Sequence, residues 1–226
     1  MTENSGQQHI WKATSSEHFH RWAEHYDRDV INILLFRPSF RRVLEWLRRW
    51  QRQGLKNLRL LDVGCGTGNL LLWSLPLRPL LGTLVGLDMS DNMLSKARSK
   101  FSSLPNCRHV HLTGGDAENL CFQDNSFDIV TCCNSFHHYP NQQQALNEMH
   151  RVLRPNGQLI LIDGSRDDLF GYFIFEICVA YVEGHVHHCT RRRFQKLLIQ
   201  AGFSDIFQHV FGLCPPALIN VARALK

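Results

Sequence analysis

The segment Leu60-Leu61-Asp62-Val63-Gly64-Cys65-Gly66-Thr67-Gly68-Asn69-Leu70-Leu71 constrains this chain more than any other, because an apolar, strand-like run enters three alternate glycines and leaves as a helix. Glycine suits a sharp strand-to-helix turn: it takes backbone angles closed to other residues, and its missing Cβ lets a ligand lie against the main chain. The spacing is G-x-G-x-G, with Asn69 standing where a dinucleotide fingerprint requires glycine, which argues against a nicotinamide cofactor. A tight turn in any α/β protein could use the same glycines, so the neighbouring sequence has to decide. Thr83-Leu84-Val85-Gly86-Leu87-Asp88 reads as a second short apolar strand closing on an acid about 20 residues past Gly68, the distance at which a carboxylate reaches a ribose hydroxyl pair. The glycines and Asp88 are therefore expected to share one nucleotide-type site.

Strand-like runs at Leu58–Val63, Thr83–Asp88, Cys107–Leu112, Phe127–Cys133 and Gln158–Asp163 alternate with helix-patterned segments. That alternation predicts a mainly parallel sheet with connections on both faces. Ser90 caps a helix running to about Phe101. Asn141 opens another in which Ala145, Met149, Val152 and Leu153 recur at helical spacing until Arg154-Pro155-Asn156-Gly157 stops it. Thr190 caps the segment holding Phe194, Leu197, Leu198 and Ala201; Gly202 ends it, and Phe203–Phe211 reads as a strand. Before the sheet lie two amphipathic segments, one with Phe19, Trp22, Tyr26 and Val30 on a single helical face, the other with Phe40, Val43, Leu44, Leu47 and Trp50. Both are expected to pack on the core as helices. This divides the chain into an N-terminal helical cap, 1–54, and a cofactor-binding domain, 55–226, forming one globular unit.

Four blocks, LLDVGCGTG, VGLDMSDNMLSKAR, GGDAENLCFQDNSFDIVTCCNSFHHYPN and ALNEMHRVLRPNGQLILID, stand in that order between Leu58 and Asp163. Together they resemble the class I S-adenosylmethionine-dependent methyltransferases, in the small-molecule, type 11 group that includes the ubiquinone- and menaquinone-biosynthesis enzymes. The resemblance implies a Rossmann-like three-layer α/β sandwich with a seven-stranded, mostly parallel sheet, whose last short strand would lie near Leu218–Ala222, just after Pro215-Pro216. It implies S-adenosylmethionine as methyl donor and S-adenosylhomocysteine as product. Gly64, Cys65, Gly66 and Gly68 would approach the methionine part, with Asp62 orienting its amino group. Asp88 would bind the ribose hydroxyls with Met89 beside the adenine, and Asp116 and Ala117 would meet the adenine amino edge. Asn134 and Ser135 would lie near the sulfonium and its methyl group. Tyr26, in a Tyr-Asp pair that many members carry at this distance before the glycines, would close over the cofactor carboxylate.

At 226 residues, 44% hydrophobic and 20% charged, the chain is long enough for one large core and too polar for an integral membrane protein. Residues 1–8 show no basic region leading into an apolar stretch, and the apolar run Leu70 to Leu87 is broken by Pro76, Arg78 and Pro79, so a soluble, cytoplasmic protein is expected. The 8 cysteines show no C-x-x-C spacing and read as buried, reduced thiols. The net charge of +5 includes Arg41, Arg42, Arg48, Arg49, Arg52 and the run Arg191-Arg192-Arg193. Such charge could meet nucleic acid or an anionic membrane, yet the helix arginines fall between the apolar positions, as on an ordinary solvated face. Enzymes that methylate exocyclic amines of bases resemble one another in an Asn/Asp-Pro-Pro-aromatic motif after the fourth strand, where this chain has Asn134-Ser135-Phe136-His137-His138. A nucleic-acid partner is accordingly not expected.

A sulfonium is an activated methyl donor, so holding a nucleophile in line with the methyl group supplies much of the catalysis, about 7–11 kcal/mol from proximity and orientation. Where the acceptor is a hydroxyl or enol, neutral histidine suits the task of general base. The candidates are His137, His138, His185, His187 and His188, of which His138 and His188 are taken as catalytic. The apolar run Leu169 to Val182 is too short and interrupted to span a bilayer; it is expected either to cover an apolar acceptor pocket or to pack as core. Glu183-Gly184-His185-Val186-His187-His188-Cys189 collects metal-ligand side chains, but four ligands within seven residues do not easily surround one ion, and no metal is expected. The resulting expectation is metal-independent methyl transfer to a small apolar or aromatic acceptor. The alternatives are an RNA or protein methyltransferase, or a non-catalytic cofactor-binding scaffold for a partner.

Overall fold

A computed structural model describes residues 30–167, 169–175, 186–212 and 216–226, with the backbone alone for 30–35 and 170. The chain enters through helix α1 (Val30–Arg52) and β1 (Leu58–Val63), then α2 (Asn69–Ser74) and a 3-10 turn (Leu75–Leu77). Strand β2 (Leu81–Asp88), α3 (Asp91–Ser102), β3 (Val110–Gly114) and β4 (Phe127–Cys133) follow, then a 3-10 turn (Phe136–His138) and α4 (Gln142–Val152). After β5 (Leu153–Gly164) come α5 (Leu169–Phe173), α6 (Arg191–Gln200) and the hairpin of β6 (Phe203–Phe211) and β7 (Ala217–Ala224).

The strands form one 7-stranded sheet in the order β3-β2-β1-β4-β5-β7-β6. Strands β1 to β5 pair in parallel, and β7 runs antiparallel to both β5 and β6. Neighbouring residues of one strand feed opposite layers, as a side-chain period of two requires. Leu61, Val130 and Leu161 join the core under α4 and α6, whereas Leu60, Ile129 and Ile160 join the core under α1 and α2. This is the Rossmann-like α/β sandwich implied by the resemblance. Strand order reverses between β1 and β4, and the crevice outside their carboxyl ends is where open α/β sheets bind ligands.

Helix α1 buries Val43, Leu44, Leu47 and Trp50 against the sheet and leaves Arg41, Arg48 and Arg49 exposed, the solvated face expected of that spacing. Val30, assigned from sequence to the preceding segment, begins this same helix; Phe19, Trp22 and Tyr26 lie outside the described residues. The expected caps form: Ser90 Oγ accepts from Met93 N–H, Asn141 Oδ1 from Gln144 N–H and Thr190 Oγ1 from Arg193 N–H.

Several boundaries differ from expectation. Strand β3 starts at Val110 rather than Cys107, because Asn106 is left-handed (φ 63°) and Val110 N–H closes a turn on Cys107 O. It runs on to Gly114, which pairs with Asp88. Strand β5 begins at Leu153, and the expected stop Arg154-Pro155-Asn156-Gly157 falls inside its span as an irregularity: β4 pairing jumps from Phe127↔Leu153 to Ile129↔Gln158. Strands β2 and β7 each extend beyond the expected core of the run. Among the described residues the thiols are free, but not all are buried: Cys65, Cys132 and Cys189 are, Cys107 and Cys133 are half-buried and Cys121 is exposed. The apolar run from Leu169 is described only to Phe175, and its first part is largely exposed at Leu169, Tyr172 and Phe173. Among the described residues no helix is long and apolar enough to cross a membrane.

Candidate cofactor and acceptor site

The glycine loop leaves β1 with Gly64, Gly66 and Gly68 all at positive φ (72°, 53° and 76°). Gly64 and Cys65 donate their N–H groups to Leu87 O at 2.8 and 3.0 Å. Asp88, at the end of β2, accepts Gly66 N–H at 2.7 Å and Ser90 N–H at 2.9 Å, so this carboxylate fixes the loop and begins α3. Lys100 of α3 braces the far side, donating to Thr67 O at 2.8 Å and Asn69 Oδ1 at 2.6 Å.

A cavity opens at the carboxyl ends of β1, β2 and β4. Its lining includes Asp62, Gly64, Cys65, Gly66, Asp88, Met89, Asp116, Ala117, Asn134, Ser135 and His138, all of them singled out by sequence. Gly68 does not line it; a Cβ there would meet the Phe101 ring at 2.7 Å, so this glycine serves packing of α2 on α3. Tyr26 and His185 lie outside the described residues. Phe36, Phe40, Glu118 and Tyr139 also line the cavity and escaped the sequence reading. Phe40 was absorbed into the packing stripe of its helix, and the i, i+4 relation of Phe36 to Phe40 was the one available signal. Tyr139 is half-buried beneath the loop, its hydroxyl 3.1 Å from Ser135 Oγ. Burial pushes its pKa well above the usual value for tyrosine, with the nearby Cys132 adding to the effect.

The described lining carries Asp62, Asp88, Asp116 and Glu118 and neither lysine nor arginine. Such a cavity favours a cationic ligand with hydroxyl donors and disfavours a pyrophosphate. Asp62 is 3% exposed; burial raises its pKa to about 7, against a hydrogen bond from Thr131 Oγ1 at 2.7 Å, and the Asp88 charge adds to the rise. Burial also raises Asp88, opposed by the backbone N–H groups it accepts. The Cys65 and Cys133 thiols are pushed up by burial and stay protonated, which suits neither to nucleophilic attack.

Because the folded-state pKa of Asp62 exceeds its unfolded value, the folded protein holds more protons between about pH 4 and pH 7, and stability falls as pH rises through that window. Asp62→Asn keeps an acceptor for Thr131 and removes the buried charge. The ligand-free variant is expected to melt above wild type at pH 8, with the gap closing towards pH 5, as calorimetry at the two pH values would report.

His138 reaches the cavity, whereas His188 does not. His188 is 2% exposed, stacked on the His137 ring at 4.3 Å and 16° and packed on Phe175 at 4.4 Å. Burial, with the His137 charge, lowers its pKa to about 3, so it remains neutral. His137 Nδ1 lies 2.6 Å from Asp163 Oδ1, and its backbone N–H donates to Asp163 Oδ2 at 2.8 Å. Burial would raise the Asp163 pKa, but the charge and hydrogen bond of His137 outweigh it and hold the carboxyl at about 2. His137, Asp163 and His188 offer ligand atoms within 4.8 Å of one another. The two ring nitrogens meet at the same carboxylate oxygen, His188 Nε2 lying 3.9 Å from Asp163 Oδ1.

Residues 61–161 match the family described as a methyltransferase domain. A demethylmenaquinone methyltransferase of Geobacillus kaustophilus is 37% identical over 163 residues, covering 68% of this chain and 64% of the relative. One of Staphylococcus epidermidis is 36% identical over 160 residues, covering 67% and 60%. The chain thus spans less than two thirds of the length of these curated relatives. In fold it is similar to an S-adenosylmethionine-dependent methyltransferase of Thermotoga maritima, with a TM-score of 0.68 at 21% identity over 93% of this chain and 99% of that one.

Proposed function

The chain carries a methyltransferase domain of the class I S-adenosylmethionine-dependent family, and we propose that it transfers the methyl group of S-adenosylmethionine to a small apolar or aromatic acceptor. The observation that carries this reading is the cavity over the G-x-G-x-G loop, lined among the described residues by four acids and neither lysine nor arginine, which suits the sulfonium, ammonium and ribose of that cofactor. In this reading Asp88 takes the ribose hydroxyls, Asp62 faces the ammonium, Met89, Asp116 and Ala117 hold the adenine, and Gly64, Cys65, Gly66 and Ser135 follow the methionine part. Tyr26 closes over the cofactor carboxylate. An acceptor of the quinone type is favoured by the relatives' names, and the segment from Leu169 serves as its cover. Residues 1–54 act as the cap, with Phe36 and Phe40 supplying the aromatic wall. A cytoplasmic site of action belongs to the same proposal.

The acceptor's lone pair attacks the methyl carbon while the carbon–sulfur bond breaks and its electron pair stays on sulfur, leaving neutral S-adenosylhomocysteine. A proton lost from a hydroxyl or enol acceptor passes to His138, the histidine at the cavity. His188 acts behind it, by packing on His137. The sulfonium needs no metal for activation.

S-Adenosylhomocysteine at about 100 times its dissociation constant adds roughly 2.7 kcal/mol to the folded state, a rise of about 5–10 °C in melting temperature for a chain of this size. NAD should produce no rise. A shift with NAD and none with S-adenosylhomocysteine would falsify the cofactor assignment. Asp88→Ala removes a charged acceptor worth about 1.5–3 kcal/mol, so S-adenosylhomocysteine affinity measured by calorimetry is expected to drop about tenfold or more.

A further inference from the structure

Helix α1 carries Arg37, Arg41, Arg42, Arg48, Arg49 and Arg52 and a single acid, Glu45. All are exposed except Arg42, which is half-buried and pairs with Glu45 at 2.9 Å. Along one flank of the helix, where Arg42, Trp46 and Arg49 recur at helical spacing, the arginines meet aromatic rings of β6, an edge strand of the sheet. Trp46 packs edge-on against Phe207 at 5.5 Å; the Arg49 guanidinium lies over Trp46 at 4.8 Å, and that of Arg42 over Phe211 at 5.4 Å. Phe207 is 47% exposed and stacks with His209, also exposed, at 6.4 Å. Edge strands are ordinarily blunted with charge. The one acid of β6, Asp205, is paired with Arg223 at 3.3 Å, so open aromatic surface adjoins a flank whose free charge is positive.

We propose that this face, Arg42, Arg49 and Arg52 of α1 with Phe207 and His209 of β6, docks the protein on an anionic lipid bilayer. Its charge complements acidic headgroups, and its half-exposed rings complement the interfacial layer beneath them, the pairing by which basic, aromatic-flanked helices lie on membranes. A nucleic acid would match the arginines alone: the ring faces of Trp46 and Phe211 already carry guanidinium groups, which leaves no stacking platform for bases. Helix α1 also lines the cavity through Phe36 and Phe40, so one helix serves both the docked face and the cavity wall. Docking of this kind does not depend on the identity of the methyl acceptor.

The probes are vesicles of phosphatidylcholine alone and of an equimolar mixture with phosphatidylglycerol, pelleted with the protein at low salt. Wild type is expected to pellet with the mixed vesicles and not with phosphatidylcholine, and to be released as salt rises. Arg49→Gln/Arg52→Gln should weaken partition by roughly twenty- to thirtyfold, about fivefold for each charge. Phe207→Ser should weaken it about three- to tenfold, the worth of the exposed half of a phenylalanine, and Phe207→Leu should recover most of that loss. Both substituted faces lie away from the cofactor, so S-adenosylhomocysteine affinity is expected to stay within about twofold, which also reports that each variant is folded. Wild type left in the supernatant with mixed vesicles overturns the proposal, as does partition unchanged in a folded Phe207→Ser. Release from the mixed vesicles by poly(U) at equal phosphate concentration overturns it in favour of a nucleic-acid face.

Discussion

Gly64→Ala is expected to yield protein that melts far below wild type or does not fold cooperatively, as circular dichroism on heating would report. Gly64 sits at φ 72°, where a Cβ costs about 1–2 kcal/mol. That Cβ would also lie 2.7 Å from Ser135 Cβ and 2.8 Å from the Tyr139 hydroxyl. Both neighbours are fixed: Ser135 Oγ bonds Val63 O and Tyr139 Oη. Overpacking of this kind adds about 1–3 kcal/mol. Gly66 provides the contrast, because a Cβ there meets nothing within 4 Å and points into open space over the loop. Gly66→Val shares the backbone strain, at φ 53°, but adds no packing clash, so beyond that strain its loss should fall on cofactor affinity. If calorimetry found Gly66→Val binding S-adenosylhomocysteine like wild type, the cofactor would not lie across this loop. If Gly64→Ala melted within a degree of wild type, the packing of Ser135 and Tyr139 beneath β1 would be misjudged.

Asp163→Ala is expected to cost about 3–5 kcal/mol, the range for breaking a buried ion pair by removing one partner. Asp163 is 1% exposed and accepts the His137 ring, the His137 backbone N–H and Gly164 N–H at 2.7 Å, and the substitution leaves all three buried and unmatched. Its folded-state pKa of about 2 lies below the unfolded value, so the contribution is fully present above about pH 4 and is lost as pH falls through about 2. Denaturant melts at pH 7 measure the cost. Because the His137 N–H bond fixes the turn Phe136–His138, which presents His138 to the cavity, a folded fraction of Asp163→Ala should also turn over acceptor more slowly. Wild-type turnover would mean that Asp163 only supports the fold.

The parallel sheet and the glycine-loop site were legible in the sequence because each rests on local, periodic chemistry. The run Leu58–Val63 must be a buried strand, the alternate glycines must turn, and an acid about 20 residues on must meet them at the switch between β1 and β4. Helix caps at Ser90, Asn141 and Thr190 were legible for the same reason: a capping oxygen acts on an N–H only a few residues away. The ends of β3 and β5 were not. Their limits are set by pairing with Asp88 and with Phe127, partners that no local window contains.

The cavity wall at α1 and the end of β4 was hidden more deeply. Nothing in the order of residues joins Ser39 to Asn134, or Asp163 to His137 and His188, because those contacts form only once α1 crosses the sheet end and residues 186–189 return beside β5, with His187 N–H donating to His137 O at 2.8 Å. The same closure removed His188 from the cavity and left His138 there, a choice that five histidines in sequence could not make. By itself, then, the sequence determined the fold, the glycine turn and three of the acids that line the cavity, Asp62, Asp88 and Asp116, since backbone periodicity and short-range turns encode them. Which side chains line the cavity and which are consumed in pairing one another away from it was decided only by tertiary structure, because burial and long-range hydrogen bonding are properties of the assembled layers.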